Sequence, residues 1–243
     1  MTSNKKDLNI LILAAGKSSR LKSKTKKIFL KIKSKTLIEH SIIFAKKLKP
    51  KNIFIITDPK FNFLAKNYNC KFLYQKKALG TGHAVKIFLK KNNDSKKLLI
   101  LYADTPFINI NAAKKIINKL NIADLVLTTF KTKNNTSLGL VKIDSNKKIT
   151  EIIEYKNANL NEKKINLCNS GMMGSGKKNY KNVYKIKKNK ITKEYYLTDL
   201  VKISHKNGKL IDKVMIENNL ISRGINTIKE FNNLKKTLKN KWM

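Results

Sequence analysis

The short apolar run Ile10-Leu11-Ile12-Leu13 ends without transition at Ala14-Ala15-Gly16. A run this brief and this apolar fits a strand buried on both faces of a parallel sheet. The three residues after it have almost no side chain, so a ligand can approach their backbone N–H groups closely. Lys17, Arg20 and Lys27 follow within a dozen residues. Exposed backbone donors beside cations suit an anion such as a nucleotide phosphate. The stretch from Asn9 to Leu30 is therefore the candidate phosphate loop.

Two better-known phosphate loops fail on spacing. Gly16-Lys17-Ser18 has the ending of a Walker A loop, but the glycine required five positions earlier is Leu11. Gly80-Thr81-Gly82-His83-Ala84-Val85 begins like a dinucleotide fingerprint, yet Val85 occupies the third glycine position. Taken alone, either loop is also compatible with an ordinary αβ turn.

A chain of 243 residues can bury a full core and reads as a single domain, with a first half over about 8–120 and a second over about 121–230. At 41% hydrophobic residues it is not a mainly disordered chain. No apolar run reaches the roughly 18 residues of a membrane span, and the polar start from Met1 to Leu8 has no signal-peptide core. The expectation is a cytoplasmic protein without a membrane partner. Cys70 and Cys168 lack metal or disulfide-framework spacing and read as two buried thiols.

The formal charge of +39 first suggests nucleic acid. However, the excess is almost wholly lysine, with Arg20 and Arg223 the only arginines, and pairs such as Lys46-Lys47, Lys96-Lys97 and Lys187-Lys188 are scattered along the chain. They decorate many faces without forming one stripe, which is the pattern of a composition bias, so no specific nucleic-acid partner is expected. The rarity of arginine gives Arg20 weight, because a planar guanidinium grips phosphate bidentately where lysine cannot.

Along the chain, periodicity predicts helices over 36–49, 61–66, 81–91, 193–205 and 226–239. Strands are predicted over 52–57, 71–74, 97–103, 123–131, 138–144, 148–155, 165–173 and 209–217. Alternation through the first half implies a mostly parallel, Rossmann-like sheet with helices on both faces, in the α/β class; the later strands read as an antiparallel substrate-binding lid. Ligands of such a sheet sit beyond the C-terminal strand ends. That rule puts Gly16, Gln75 and Asp104 on one rim. Asp104 is by itself compatible with a turn acid or helix cap; beside Lys17, Arg20 and Lys27 it is better placed as a Mg²⁺ ligand.

Four groups of residues then carry a resemblance. They are Leu13-Ala14-Ala15-Gly16-Lys17 with Arg20 and Lys27, Gln75 with Leu79-Gly80-Thr81-Gly82-His83-Ala84, Tyr102-Ala103-Asp104-Thr105-Pro106, and Glu194-Tyr195-Tyr196-Leu197-Thr198-Asp199. Together they resemble the sugar-1-phosphate nucleotidyltransferases, in particular the uridylyltransferase domains of bifunctional N-acetylglucosamine-1-phosphate uridyltransferase/glucosamine-1-phosphate acetyltransferases. The likeness covers roughly residues 8 to 230. It implies that Leu13, Ala14, Ala15, Gly16, Gln75, Gly80, Thr81 and Tyr102 meet the nucleotide. It further implies that Lys17, Arg20 and Lys27 are the catalytic cations, that Gly139, Glu154, Asn169, Thr198 and Asn226 meet the sugar phosphate, and that Asp104 and Asn226 hold Mg²⁺. His83 is given no proton transfer and is expected to fix the loop.

The implied partners are UTP and a sugar 1-phosphate. A phosphate monoester is already a competent nucleophile near neutral pH, so positioning and charge neutralisation suffice without a general base. The chain departs from the family pattern at Ser18-Ser19, Lys26 and Ala103. Leu140 replaces a usual arginine and is expected, with the lid, to set the sugar. No hexapeptide repeat is present, so the expectation is uridylyl transfer without a β-helix acetyltransferase domain, the oligomeric state being open.

Overall fold

The computed structural model describes residues 7–16, 25–105, 107, 109–136, 138–217, 224–225 and 227–241. The chain opens with β1 (Leu8–Leu13). A small hairpin of β2 (Lys31–Ile32) and β3 (Lys35–Thr36) leads into α1 (Leu37–Lys47). A capping box starts α1: the Glu39 N–H donates to Thr36 Oγ1, while Glu39 Oε2 accepts from the Thr36 N–H at 2.6 Å. Pro50 lies just beyond its end.

Then come β4 (Asn52–Thr57), the short α2 (Leu64–Asn67), β5 (Lys71–Tyr74), α3 (Thr81–Lys91) and β6 (Lys97–Tyr102). A further helix, α4 (Ile110–Lys119), has no counterpart among the sequence expectations. Its buried stripe is Ala112, Ala113, Ile116 and Ile117, and alanine marks a helical face only weakly. The second stretch supplies β7 (Leu125–Lys131), β8 (Gly139–Ile143), β9 (Ile149–Glu154), β10 (Leu167–Gly176), α5 (Tyr180–Tyr184), α6 (Asp199–Lys206), β11 (Ile211–Met215) and α7 (Ile228–Lys241).

The strands lie in the order β11-β7-β10-β6-β1-β4-β5. β6, β1, β4 and β5 run parallel, and β11 is parallel to β7; β10 is inserted antiparallel between β6 and β7. The fold is thus a mostly parallel sheet flanked by helices. Strands from both stretches share it, while the β8–β9 hairpin stands off the main path, touching β10 at the Cys168–Leu140 pair. Alternation along β1 divides the core. Ile10 and Ile12 join Ile38, Ile42, Ala113 and Ile116 on one face, whereas Leu11 and Leu13 join Val85, Phe88, Leu200 and Val201 on the other.

Like α4, α5 and the β2–β3 hairpin were not expected, and further details differ from the sequence expectations. The helix predicted from Lys193 begins only at Asp199, because Tyr195 is tied outside a helix: its N–H donates to Leu79 O, and its carbonyl accepts from the Gly82 N–H. Cys168 is buried, but Cys70 is only half-buried. Leu140 is fully buried against Phe130, Ala158 and Cys168. It faces away from the cleft described below and cannot contact a sugar there. Among the described residues, no helix is long and apolar enough to cross a membrane.

Candidate active site

The parallel strands end at one edge, and their ladders continue into the loops that follow. The Ala14 N–H donates to Ile56 O, the Ala103 N–H to Leu13 O and the Gln75 N–H to Thr57 O. The first loop residue after each strand is therefore held as firmly as the strand itself. Beyond this edge opens a cleft of about 850 Å³, a size that holds a nucleotide and more. Leu13, Ala14, Ala15, Gly16, Gln75, Gly80, Thr81, Tyr102 and Asp104 line one side, with Lys27 beside them; Gly139, Glu154, Asn169 and Thr198 line the other. The described residues to which the resemblance gives nucleotide, cation, sugar-phosphate or metal roles thus line one space, whereas Leu140 and His83 do not. Lys17, Arg20 and Asn226 lie outside the described residues.

On the nucleotide side the site is chiefly backbone. Gly80 has φ +95°, and a Cβ there would stand 2.5 Å from Tyr195 O, so only glycine fits. Thr81 Oγ1 accepts from the Leu197 N–H at 3.1 Å. Together with the Tyr195 pairings, this locks the start of α3 to the segment 195–197. The Tyr102 phenol is pushed far above its ordinary range by burial, with Asp104 and Glu154 adding to the effect and the Thr81 hydroxyl opposing it. It remains a protonated donor.

Gln75 is almost wholly buried. Its Nε2 lies 3.1 Å from Gly80 O and 2.8 Å from His83 Nδ1. The His83 ring stacks on Tyr195 at 5.9 Å between centroids. Burial lowers the His83 pKa, and the charge of Lys86 lowers it further.

Lys27 and Asp104 form an ion pair at 2.8 Å, with both side chains mostly enclosed. The Ile225 N–H donates to Asp104 O, and a Cβ on Gly224 would stand 3.7 Å from Asp104 Oδ2. Glycine at 224 leaves that carboxylate room. One exposed-edge carboxylate beside a cleft is a donor set that fits Mg²⁺, which takes one or two carboxylates and fills its shell with water and substrate phosphate. Among the described residues, no group of three His, Cys, Asp or Glu side chains gathers as a dedicated cage.

The opposite side is built from side chains on irregular backbone. Gly139 and Glu154 face each other across the β8–β9 ladder. A Cβ on Gly139 would meet Ile152 Cγ2 at 2.7 Å. Thr198 Oγ1 donates to Glu154 Oε1 at 3.3 Å. The β10–β7 register shifts between Asn169 and Met173, and this bulge turns Asn169, Ser170 and Gly171 toward the cleft. It is braced below by Ser170 Oγ donating to Thr128 Oγ1 at 2.6 Å, and by Thr128 Oγ1 donating in turn to Met172 O. Behind Glu154, the Asp199 carboxyl is raised by burial and by the Glu154 charge.

The sequence reading did not assign site roles to Tyr155, Lys156, Thr192, Glu194 and Tyr196, which also line the cleft. Tyr196 OH donates to Thr192 Oγ1 at 2.7 Å, and Lys156 Nζ stands 3.5 Å from Tyr196 OH. The available signal was adjacency: each lies within a few residues of Glu154 or Thr198 at the end of an element.

Comparison with known proteins follows this geometry. The family model described as MobA-like NTP transferase domain matches residues 10–154. Bifunctional protein GlmU of Buchnera aphidicola subsp. Baizongia pistaciae (strain Bp) is 35% identical over 229 residues, which is 93% of this chain and 51% of that protein. The protein of the same name from Francisella tularensis subsp. holarctica (strain OSU18) is 36% identical over 198 residues, 80% of this chain and 43% of the relative. The chain spans about half the length of the curated relatives it matches. Among solved structures, the inositol-1-phosphate CTP transferase from T. maritima superposes with a TM-score of 0.73 at 15% identity, covering 94% of this chain and 93% of that one. UDP-glucose pyrophosphorylase complexed with UDP-glucose gives 0.73 at 18% identity, covering 96% and 98%. At such identities the likeness is one of fold.

Proposed function

The chain belongs to the MobA-like NTP transferase domain family, and from that premise we propose that it is a Mg²⁺-dependent uridylyltransferase making UDP-N-acetylglucosamine and pyrophosphate from UTP and N-acetylglucosamine 1-phosphate. The observation that carries this reading is the single cleft. A backbone-lined rim with a lysine and a carboxylate faces a rim of carboxylate, amide and hydroxyl across the same space. The first rim suits phosphates and a base; the second suits the hydroxyls of a sugar. The two curated relatives, both named bifunctional GlmU, support the sugar nucleotide class.

In the proposed reaction a phosphate oxygen of the sugar 1-phosphate attacks the α-phosphorus of UTP, and the bond to the β-phosphate oxygen breaks opposite it. The nucleophile is already ionised, so this chain has no proton to remove. Its residues bind, align and neutralise. The small residues Ala14, Ala15 and Gly16 let the triphosphate reach main-chain N–H groups. Lys27, paired with Asp104 on the cleft wall, would neutralise phosphate charge. Arg20 and Lys17 add cations by the resemblance. Glu154 and Thr198, tied to each other, present acceptors to the sugar and hold it in line. Asp104, with Asn226 by the resemblance, would hold Mg²⁺, which would supply neutralisation of phosphate charge.

The test is pyrophosphate release from UTP and N-acetylglucosamine 1-phosphate with and without Mg²⁺, run beside Asp104→Ala. Metal-dependent release that the variant loses by about 10²-fold or more supports the reading. Release only with a different sugar phosphate or nucleotide moves the specificity and keeps the chemistry. Silence over a panel of both sinks it.

A further inference from the structure

We propose that His83 is a positioning residue for base recognition: it holds the Gln75 carboxamide so that Oε1 faces the cleft and selects a base edge bearing an N–H donor. The inference rests on the uridylyltransferase reading and goes beyond it, since His83 takes part in no proton transfer.

The argument is one of hydrogen-bond valence. The Gln75 amide nitrogen has two hydrogens and lies within bonding distance of two atoms, Gly80 O and His83 Nδ1. Gly80 O can only accept, so the nitrogen and not the oxygen must face it. The second hydrogen then points to His83 Nδ1, which must offer a lone pair. This fixes His83 as neutral, with its proton on Nε2. Both Gln75 donors are consumed within the protein, and Oε1 remains.

Gln75 is only 4% exposed, yet it lines the cleft. Among the described residues no donor meets Oε1, and it is not among the sealed, unpartnered buried atoms. Its open side is therefore the cleft. An acceptor fixed at that point pairs with the N3–H of a uracil edge, which a cytosine edge lacks at the same position.

The surroundings of His83 keep it in the accepting form. The Tyr195 ring stacks on it from the 195–197 segment, and neutral Gln75 faces it from the loop. From its own helix comes Lys86, whose ammonium lies 4.4 Å over the Tyr195 ring and donates to Ile186 O. Burial and this positive charge both disfavour a second proton on His83. When His83 does protonate, Nδ1 becomes a donor and can no longer accept from Gln75. The carboxamide loses its anchor, and affinity for uridine falls as pH drops through a His83 pKa lying below the ordinary 6.5.

The experiment measures KM and kcat for UTP, 3-methyl-UTP and CTP with Mg²⁺ and N-acetylglucosamine 1-phosphate. Wild type is compared with His83→Phe, which keeps the ring against Tyr195 but offers no acceptor, and with His83→Asn, which returns an oxygen close to the place of Nδ1. Wild type should reject 3-methyl-UTP by about 10²-fold or more. His83→Phe should raise KM for UTP about tenfold, the value of one hydrogen bond, and narrow the UTP-to-CTP preference by the same factor. His83→Asn should restore most of both. Wild-type KM for UTP should rise below pH 6.5, and the rise should be missing in His83→Asn.

Equal losses on UTP and CTP in His83→Phe, or an unchanged preference, would overturn the inference and leave the uridylyltransferase reading intact. If His83→Phe does not fold, an acid limb that persists in His83→Asn overturns it equally. A wild type that uses no UTP at any pH overturns both.

Discussion

On the nucleotide rim, Ala14, Gln75 and Ala103 are fixed by main-chain hydrogen bonds that extend the parallel ladders, and Gly80 is fixed by the backbone of Tyr195. On the opposite rim, Glu154, Thr198 and Asn169 stand on a hairpin, a helix start and a bulge, and are held by side chains. The first rim cannot change without moving the sheet. The second can exchange one side chain for another while the fold stays put. The contrast shows how a single architecture can keep one wall of a cleft constant and leave the facing wall to a few replaceable groups.

The largest way to break the contrast is at Gly80. Gly80→Ala forces a Cβ into the Tyr195 carbonyl at a positive φ, so the start of α3 and the 195–197 segment must part. We expect about 2–4 kcal/mol of lost stability by denaturant titration, together with weakened UTP binding. Stability within about 0.5 kcal/mol of wild type would show that the rim is not held by main chain.

A smaller change sharpens the other side. Glu154→Gln keeps the shape and loses the charge, and should raise KM for the sugar phosphate about tenfold with KM for UTP unmoved. A parallel rise for UTP would mean that the two rims are not separable. The same variant also removes a neighbouring charge from Asp199, whose raised pKa it should bring back toward the usual carboxylate range. The smallest effect is expected at Leu140. Leu140→Met conserves volume in a sealed cluster and should cost less than about 1.5 kcal/mol, with sugar kinetics unchanged. A shift in sugar preference there would restore the role its sequence position suggested.

Leu140 also shows what limited the sequence reading. Gly139 lies on the cleft wall. Successive residues of a strand face opposite ways, so Leu140 had to point into the Phe130 and Cys168 cluster, as it does. The signal was present and went unused. The strands over 52–57 and 71–74 were legible to the residue because their apolar runs are bounded by clear turn residues. α4 was not, since its inner face is half alanine. Nor was the non-helical course of Lys193 to Leu197, which is tied by Tyr195 to Leu79 and Gly82, more than 100 residues earlier. The cleft-lining residues at strand ends could be found from where apolar runs stop. Those brought by the bulge and by the 192–196 segment depend on contacts that no local pattern encodes.

The place of β10 has a kinetic meaning. It lies between β6 and β7, pairing Met173 with Ile100 and with Leu127. Until residues 167–176 arrive, the nucleotide half has its four parallel strands but presents the unpaired edge of β6, fully apolar from Leu98 to Leu101. Such an edge invites pairing with other chains. The sheet therefore closes through contacts of high sequence separation, which are slow to form. A nascent chain on the ribosome must carry that open edge through the synthesis of some seventy further residues, about 4–14 s at ordinary elongation rates. The stretch that carries Asn169 to the cleft is thus also the stretch that closes the edge of the parallel strands, and neither wall of the cleft can be matured without the other.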